Sequence, residues 1–376
     1  MPFSKLEDIP KNARLCIYGS GQSGQTVAGH IRTQRPDVTI VCFLDTFRSG
    51  QAGGLKVIKR NDLPELEGQY DIIFIASAWW RDIVKSLKMD GINNSMVAAL
   101  SLWHKYVFTP AEMELARQDI DAVEHLLETT KDKTVFRFLM DARKEGSPLV
   151  KNNKINPEIA NYQLLRNSLF SHLNGQYTDF VNRDAIKTVL HAGVFNGEDC
   201  LRFLDLFPNV QTVHGFEPLG EKCIPAERLA TLKGLKQVSL HYKGLWNSTG
   251  TVEFQENGAS SSISIACAPE SDQQTIDVTS IDDFVNRNGI AKVDHICLDV
   301  EGAEWEALEG ARNTIATHRP QLAICIYHLK EDIYRLPLYL DNLLEDYVFH
   351  IGHYYHFLNE TVWYALPKEL ADTSTR

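Results

Sequence analysis

Two separate runs of alternating strand and helix patterns constrain this chain of 376 residues more than any other feature. The first run lies within residues 14–100, and the second begins near Ala185. Strands that alternate with helices form parallel sheets with helices on both faces. The sequence therefore predicts an α/β protein of two doubly wound domains, at 1–108 and 181–376, joined by a helical linker region at 109–180.

Composition narrows the classes of partner. Lys and Arg total 38 against 49 Asp and Glu, so the formal net charge is −11. Sequence-independent nucleic-acid binding depends on neutralising phosphates, so we expect no nucleic-acid partner. No apolar stretch is long enough to span a bilayer. Seven cysteines without CxxC spacing lie mostly in apolar runs, which indicates a reduced, cytoplasmic environment. A homo-oligomer stays open.

The first run opens with a glycine-rich turn. An apolar strand at 14–18 is followed by Gly19, Gly21 and Gly24 in GxGxxG spacing, and Asp45 ends the next strand. Such glycines allow close approach of a pyrophosphate, and an acidic residue at that place can bind a ribose hydroxyl. The pattern predicts a Rossmann-like domain with these four residues as a tentative site for NAD or another nucleotide. A domain that keeps the fold for packing alone is the open alternative.

The stretch ICLDVEGAEWEALEGA at 296–311 ends an apolar strand at Asp299 and places several carboxylates directly after it. Ligands of open α/β sheets bind beyond the carboxyl ends of the strands. Asp299 and Glu301 stand at the crossing from strand to helix, whereas Glu304 lies in the first helical turn, where the helix dipole favours an anion. We therefore predict functional roles for Asp299 and Glu301, with helix capping as the structural alternative.

The other strands of the second run end in residues that should share the same rim. Glycines there let the backbone approach an amino-acid moiety, a glutamate can accept both hydroxyls of a ribose, and apolar side chains can flank a purine. This chemistry suits a nucleoside with a cationic side chain, such as S-adenosylmethionine. The predicted cofactor-binding residues are His191, Gly193, Asn196, Gly197, Glu217, Gly244, Leu245 and Trp246, and His328 ends a further strand.

The second run resembles the FkbM family of S-adenosylmethionine-dependent methyltransferases over roughly residues 185–367. The most specific part is DVEGAEWEALEGA with the downstream YH. The supporting stretches are VLHAGVFNGED, HGFEP, KGLWNSTGTVEF, SSSIS, TSIDDF, CLDVEGAEWEALEGA, PQLAICIYH and ETVWYALP. The resemblance implies a seven-stranded methyltransferase-type sheet closed by an antiparallel hairpin. It also implies O-methylation of a hydroxyl on a sugar, glycan or related small metabolite.

Methyl transfer to a hydroxyl needs alignment of the acceptor oxygen, the methyl group and the sulfur, and a nearby base helps the hydroxyl lose its proton. Asp299, Glu301 and His328 are the predicted catalytic residues. We expect no metal ion in the mechanism, although the same three side chains form a workable set for a divalent cation. Most FkbM relatives carry an acidic residue where His191 stands, so a repositioned or weakened cofactor contact there stays open.

Two other functions compete with methyl transfer. One is an NAD-dependent oxidoreductase that uses the first domain, and the other is a non-catalytic, methyltransferase-like protein. A bound nicotinamide without affinity for S-adenosylmethionine would favour the oxidoreductase. An empty second domain with His191 filling the pocket would favour the non-catalytic protein.

Overall fold

The computed structural model divides into two compact units, Met1–Leu115 with Met140–Ile159, and Ala116–Leu139 with Ala160–Arg376. It confirms the mixed α/β class. Residues 156–174 of the predicted helical linker and the stretch SSSIS lie outside the described residues, and the three-part division of the chain stays a prediction. The structure describes residues 3–77, 79–102, 104–145, 150–151, 154–155, 175–232, 234–254, 274–354 and 358–371.

A six-stranded sheet forms the centre of the first unit. Its strands are β1 (Arg14–Tyr18), β2 (Thr39–Asp45), β3 (Gly50–Ala52), β4 (Leu55–Lys59), β5 (Ile72–Ile75) and β6 (Ser95–Val97), in the order β3-β4-β2-β1-β5-β6. All neighbouring pairs are parallel except β3 and β4. Helix α1 (Gln22–Gln34) follows β1, and α2 (Trp80–Met89) follows β5. The central strands β1 and β5 are largely buried, as their apolar runs predict, whereas the edge strand β3 has no buried residue.

Three helices follow the first sheet, as the periodic apolar residues predict. They are α3 (Pro110–Leu115), α4 (Arg117–Leu126) and α5 (Thr130–Ala142). Proline begins α3 because its missing N–H would have no partner at that position. Thr109 and Glu112 form a capping box there, in which each side chain accepts a hydrogen bond from the other residue's backbone N–H. Two short antiparallel strands, β7 (Val150–Lys151) and β8 (Lys154–Ile155), come next.

Seven strands form the main sheet of the second unit, in the order β11-β10-β9-β15-β16-β18-β17. Strand β18 runs antiparallel to both of its neighbours, whereas the other pairs are parallel. Three further strands form a separate small sheet, in the order β12-β14-β13. The strands are β9 (Thr188–Ala192), β10 (Thr212–Phe216), β11 (Val238–His241), β12 (Gly244–Leu245), β13 (Gly250–Phe254), β14 (Gln274–Thr279), β15 (His295–Leu298), β16 (Gln321–Cys325), β17 (Tyr347–His353) and β18 (Thr361–Pro367).

The helices after residue 185 largely follow the sequence signals. They are α6 (Glu198–Leu206), α7 (Ile224–Leu232), α8 (Ile281–Arg287), α9 (Glu304–Glu309), α10 (Arg312–His318), α11 (Asp332–Leu343) and α12 (Lys368–Ala371). Ser280 caps α8 by accepting a hydrogen bond from the Asp283 N–H at 3.1 Å. Gly310 separates α9 from α10, and a Cβ there would lie 2.1 Å from the carbonyl oxygen of Trp246.

The main sheet reverses its strand order beside β9. The chain proceeds from β9 to β10 and β11 on one side, and then returns to place β15 on the other side. The carboxyl ends of β9 and β15 therefore leave a crevice between the two directions of winding, which is where open α/β sheets bind ligands. Among the described residues, no helix has the length and apolar character needed to cross a membrane.

Candidate functional site

A pocket lies at this crevice, among the carboxyl ends of the strands and the turns that follow them. Six of the predicted site residues contribute to it, so the prediction that these strand ends converge is supported by the geometry. The lining residues are Ala192, Gly193, Phe216, Glu217, Pro218, Gly244, Leu245, Asp299, Val300 and Glu301.

Gly193 allows the two central strands to approach each other at the floor of the pocket. Its φ is +79°, and its N–H donates a hydrogen bond to the Phe216 carbonyl at 3.0 Å. A Cβ on residue 193 would lie 1.7 Å from the carbonyl oxygen of Asp299. Both the left-handed backbone and this close approach therefore require glycine.

Glu217 is held in a fixed orientation at the end of β10. Its Oε2 accepts a hydrogen bond from the Phe195 N–H at 3.1 Å, and its Oε1 accepts one from the Leu219 N–H at 3.0 Å. The residue is 8% exposed and lines the pocket. Each oxygen of a carboxylate can accept about two hydrogen bonds. Glu217 is thus preorganised to bind two adjacent hydroxyl groups.

Asp299 accepts hydrogen bonds from two tyrosine hydroxyls. Its Oδ2 accepts a hydrogen bond from the Tyr177 hydroxyl, and its Oδ1 accepts one from the Tyr327 hydroxyl at 3.2 Å. Burial opposes ionisation of this carboxyl group, but the neighbouring His328, with Tyr177 and His191, outweighs burial and lowers the pKa to about 2. Asp299 is therefore a carboxylate over the whole range in which the protein would work.

His328 lies between three carboxylates and its side chain is 2% exposed. Its Nδ1 is 2.8 Å from Glu304 Oε1, and its Nε2 is 3.1 Å from Asp299 Oδ1 and 3.7 Å from Glu301 Oε2. Burial disfavours the charged ring, but Glu304 and Asp299 outweigh it and raise the pKa of His328 well above its ordinary value. Atoms of Asp299, Glu304 and His328 are close enough together to hold one metal ion.

Glu304 fixes the positions of its neighbours in this cluster. The residue is 1% exposed, and its Oε1 accepts a hydrogen bond from the Val300 N–H at 2.8 Å in addition to the His328 contact. Its Oε2 accepts one from the Gly302 N–H at 3.1 Å. The first-turn placement predicted from the sequence is correct. The helix dipole was nevertheless an incomplete reason, because the carboxylate also holds the turn between β15 and α9.

A further set of polar side chains adjoins Asp299 and was not identified from the sequence. The Tyr327 hydroxyl is 3.4 Å from Glu360 Oε1, and Gln176 Nε2 donates to Glu360 Oε2 at 2.8 Å. Burial, followed by the charge of Asp299, raises the pKa of Glu360. Tyr327 and Glu360 belong to stretches that carry the FkbM resemblance, whereas Tyr177 lies far upstream of Asp299 and no motif marks it.

Four residues around the site adopt left-handed backbone conformations without being glycine. Tyr177 has a φ of 65°, Phe195 of 48°, Glu301 of 54° and Glu360 of 56°. Such residues carry an energetic cost and concentrate at functional sites, where the surrounding structure enforces them. Glu301 lines the pocket, and the other three are connected to pocket residues by the contacts described above. Their clustering supports this region as the functional site.

The remaining predicted cofactor residues do not line the pocket. His191 is fully buried, with its ring centroid 5.0 Å from that of Tyr177 and 5.4 Å from that of Phe203. Asn196 Oδ1 accepts a hydrogen bond from the Glu198 N–H at 3.1 Å, and Gly197 precedes α6 with a φ of 78°. Trp246 packs against the small sheet. Cofactor contacts by these four residues stay predictions.

Of the two histidines considered in the closing hairpin, His353 has a structural role. It is fully buried, and its Nδ1 lies 2.9 Å from Thr361 Oγ1, within the pair of strands β17 and β18. His356, like the neighbouring Tyr355, lies outside the described residues.

The tentative nucleotide site in the first unit has a structural explanation. A Cβ on Gly24 would lie 1.8 Å from the Gly19 carbonyl oxygen, and one on Gly19 would lie 2.6 Å from that of Ala76. Gly21 precedes α1 in an extended conformation. The Asp45 carboxylate accepts hydrogen bonds from Ser20 Oγ at 2.5 Å and from two backbone N–H groups of the following turn. Packing and turn formation thus account for Gly19, Gly24 and Asp45, and binding of NAD or a nucleotide has no support.

The residues that line the pocket all fall within a segment that matches a known family model. Residues 191–351 match the model of the Methyltransferase FkbM domain, and residues 11–98 match that of the C2185-like N-terminal domain. The crystal structure of Methyltransferase FkbM from Methylobacillus flagellatus KT is similar over 94% of this chain and 90% of that chain. Its TM-score is 0.61 at 17% identity, which shows a shared fold.

Other similarities to solved structures are weaker. An rRNA methylase from Streptococcus thermophilus has a TM-score of 0.32 at 13% identity, over 49% of this chain and 88% of that chain. A Streptococcus mutans protein in complex with SAH has a TM-score of 0.31 at 12% identity, over 50% and 92%. Neither similarity is close enough to support an argument about function. No curated protein matches the sequence.

Proposed function

We propose that this protein, whose residues 191–351 match the model of the Methyltransferase FkbM domain, is an S-adenosylmethionine-dependent O-methyltransferase. Its acceptor would be a hydroxyl on a sugar, glycan or related small metabolite. Glu217 carries the proposal, because a buried carboxylate at a strand end, held by two backbone N–H groups, suits the adjacent hydroxyls of a ribose. S-adenosylmethionine would supply a methyl group on a positively charged sulfur.

The pocket residues fit this cofactor by shape and by charge. Because Gly193 has no side chain, the space beside the backbone carbonyl of Asp299 stays open. Gly244 and Leu245 contribute apolar atoms to the pocket lining, which suits a purine base. Glu217, Asp299 and Glu301 make the pocket negative, which favours a cationic ligand over a phosphate-bearing one.

Asp299, Glu301 and His328 would act on the acceptor. Asp299 already accepts hydrogen bonds from Tyr177 and Tyr327, so its position is fixed and an acceptor hydroxyl can be oriented against it. The proton of that hydroxyl would leave toward this cluster, whose carboxylates favour a positive charge. The polar side chains of Gln176 and Glu360 next to Tyr327 favour an acceptor with several hydroxyl groups over an apolar one.

Calorimetric titration tests the cofactor assignment. We expect S-adenosylmethionine to bind the wild-type protein with a Kd of about micromolar size, and Glu217→Ala to weaken binding at least about tenfold, or by about 1.4 kcal/mol. Glu253→Ala, at an exposed position on β13, is the matched control and should bind like the wild type. Absence of binding to the folded wild-type protein would refute the proposal.

Product analysis tests the acceptor class. The protein is incubated with S-adenosylmethionine and sets of sugars, nucleotide sugars and apolar alcohols, and S-adenosylhomocysteine formation is followed. We expect turnover with a polyhydroxylated acceptor and a new O-methyl signal in the NMR spectrum of the product. A methyl group on nitrogen or carbon would show that the reaction is methyl transfer of a different kind.

A further inference from the structure

The ring of His328 presents one nitrogen to a carboxylate without forming a hydrogen bond. Its Nε2 lies 3.1 Å from Asp299 Oδ1, but within the part of the chain that the structure describes, it has no partner in hydrogen-bonding geometry. The same nitrogen is 3.7 Å from Glu301 Oε2. A buried polar atom directed at two carboxylates needs a physical explanation, because such atoms are normally satisfied.

The other ring nitrogen restricts the choices. Glu304 can only accept hydrogen bonds in its ionised form, and its Oε1 lies 2.8 Å from His328 Nδ1, so Nδ1 carries the proton. In the neutral ring, Nε2 then has a lone pair that points toward negatively charged oxygens. This arrangement is repulsive unless a positive charge lies between the nitrogen and the carboxylates, either a second ring proton, which the raised pKa of His328 permits, or a metal ion.

We propose that Asp299, Glu301 and His328 bind a divalent metal ion through Oδ1, Oε2 and Nε2. Two ligand atoms that each lie about 2.1 Å from one ion are roughly 3 Å apart when they occupy neighbouring coordination positions. The separation of 3.1 Å between Asp299 Oδ1 and His328 Nε2 matches this spacing, and the 3.7 Å to Glu301 Oε2 fits a wider angle.

The surrounding hydrogen bonds are those of a metal site. Histidine ligands usually donate their other N–H to a carboxylate, as His328 does to Glu304, and carboxylate ligands are themselves hydrogen-bonded. Tyr177 donates to Asp299 Oδ2 and Tyr327 to Oδ1. Glu304 is therefore a positioning residue that fixes the tautomer and the direction of the imidazole.

The ligand types indicate which ions the site prefers. Two carboxylates and one imidazole suit Mn²⁺ or Zn²⁺, while Mg²⁺ should bind more weakly because imidazole is not its preferred ligand. The Glu301 side chain is 35% exposed, so this edge of the site is open to water or to an acceptor. If the proposed function is correct, on which this step rests, an acceptor hydroxyl bound beside the ion would lose its proton more readily.

Titration of the metal-free, full-length protein with Mn²⁺, followed by the EPR signal of free Mn²⁺, tests the inference without cofactor or acceptor. We expect one bound ion per chain. His328→Gln and Asp299→Asn should each weaken binding about tenfold or more, as should Glu304→Gln, which acts only through the histidine. Glu306→Gln changes the same charge on the same helix as Glu304 and should bind Mn²⁺ like the wild type. Circular dichroism confirms that each variant is folded.

Two outcomes would overturn the inference. The folded wild-type protein could fail to bind Mn²⁺ or Zn²⁺ at millimolar concentration, or it could bind one ion equally well in the Asp299 and His328 variants. If both of those variants misfold, the Glu301→Gln variant keeps the inference testable. Glu301 lies at the exposed edge of the site, and its substitution should still reduce the affinity for the metal ion. Binding of S-adenosylmethionine is measured separately, so failure of the metal site and failure of the proposed function give different results.

Discussion

Gly193 and Asp299 approach so closely that a Cβ on residue 193 would lie 1.7 Å from the carbonyl oxygen of Asp299. The two residues follow β9 and β15, the neighbouring strands at the crevice of the main sheet. Their contact joins the floor of the pocket to the carboxylate that we place at the acceptor. Any side chain at position 193 must therefore separate these strands or distort the turns that follow them.

We predict that Gly193→Ala destabilises the protein far more than its backbone conformation alone requires. Gly289 is a matched control, because its φ is +61° and no atom lies within 4 Å of its added Cβ. Gly289→Ala should cost about 1 kcal/mol through the left-handed backbone. Gly193→Ala should cost a further 1–3 kcal/mol or so through the clash. Denaturant unfolding measures both, and equal losses would show that the strands can move apart freely.

The two backbone hydrogen bonds of Glu217 lead to a prediction about a conservative change. Glutamine has one acceptor oxygen, so Glu217→Gln would direct an amide N–H₂ at the N–H of Phe195 or of Leu219. We expect this variant to lose as much affinity for S-adenosylmethionine as Glu217→Ala, although its size is unchanged. Calorimetry gives the affinities, and faster amide hydrogen exchange at Phe195 or Leu219 would confirm the cause. A variant that binds normally would show that charge at this position is dispensable.

The sequence predicted the parts of the fold that depend on local patterns. Apolar runs that end at Glu217 and Asp299 marked the strands, and the glycines after them marked turns that only glycine can form. The prediction from the sequence was less accurate where the chain passes from one sheet to another. The stretch KQVSLHYKGLW predicts one strand, but β11 joins the main sheet while β12 joins the small sheet. The strands with which each part pairs decide whether this stretch forms one strand or two, and those strands are distant in sequence.

The site was predictable to the extent that its residues end strands. Asp299, Glu301 and His328 come together because β15 and β16 are neighbours. Tyr177 and Glu360 were missed because their hydrogen bonds to the site join residues far apart along the chain; Tyr177 and Asp299 are 122 positions apart. His191 was predicted to bind the cofactor, but it does not line the pocket. Its place at a strand end suggested a pocket residue, but strand side chains alternate between two faces, and its ring packs against Phe203 of α6.

Glu304→Gln should destabilise the protein as well as disturb the histidine. The carboxylate accepts hydrogen bonds from Val300 and Gly302, and the amide would leave one of these buried N–H groups without an acceptor. The expected loss is about 1–3 kcal/mol. Thermal unfolding of this variant, compared with Glu306→Gln on the same helix, measures the effect. Equal melting temperatures for the two variants would mean that the turn between β15 and α9 does not depend on Glu304.

A buried carboxyl group at the start of α11 should make stability depend on pH. Asp332 Oδ1 has no partner in hydrogen-bonding geometry among the residues that the structure describes, and it forms an ion pair with Arg335 Nη2 at 3.3 Å. Its Oδ2 accepts a hydrogen bond from the Leu329 N–H at 3.0 Å. Burial, followed by the charge of Glu304, raises the pKa of Asp332 to about 7. The folded protein therefore binds more protons than the unfolded chain between about pH 4 and 7.

Stability should accordingly fall as the pH rises through this window and level off above it, because the buried carboxyl group must then ionise. The side chain of Asp332→Asn cannot ionise. The free energy of unfolding of this variant, relative to that of the wild type, should therefore be higher at pH 8 than at pH 4 by on the order of 2–4 kcal/mol. Denaturant unfolding at a series of pH values measures the difference. Asp341→Asn, at an exposed position of the same helix, controls for the change in net charge. Parallel profiles for Asp332→Asn and the wild type would show that Asp332 is ionised in the folded protein.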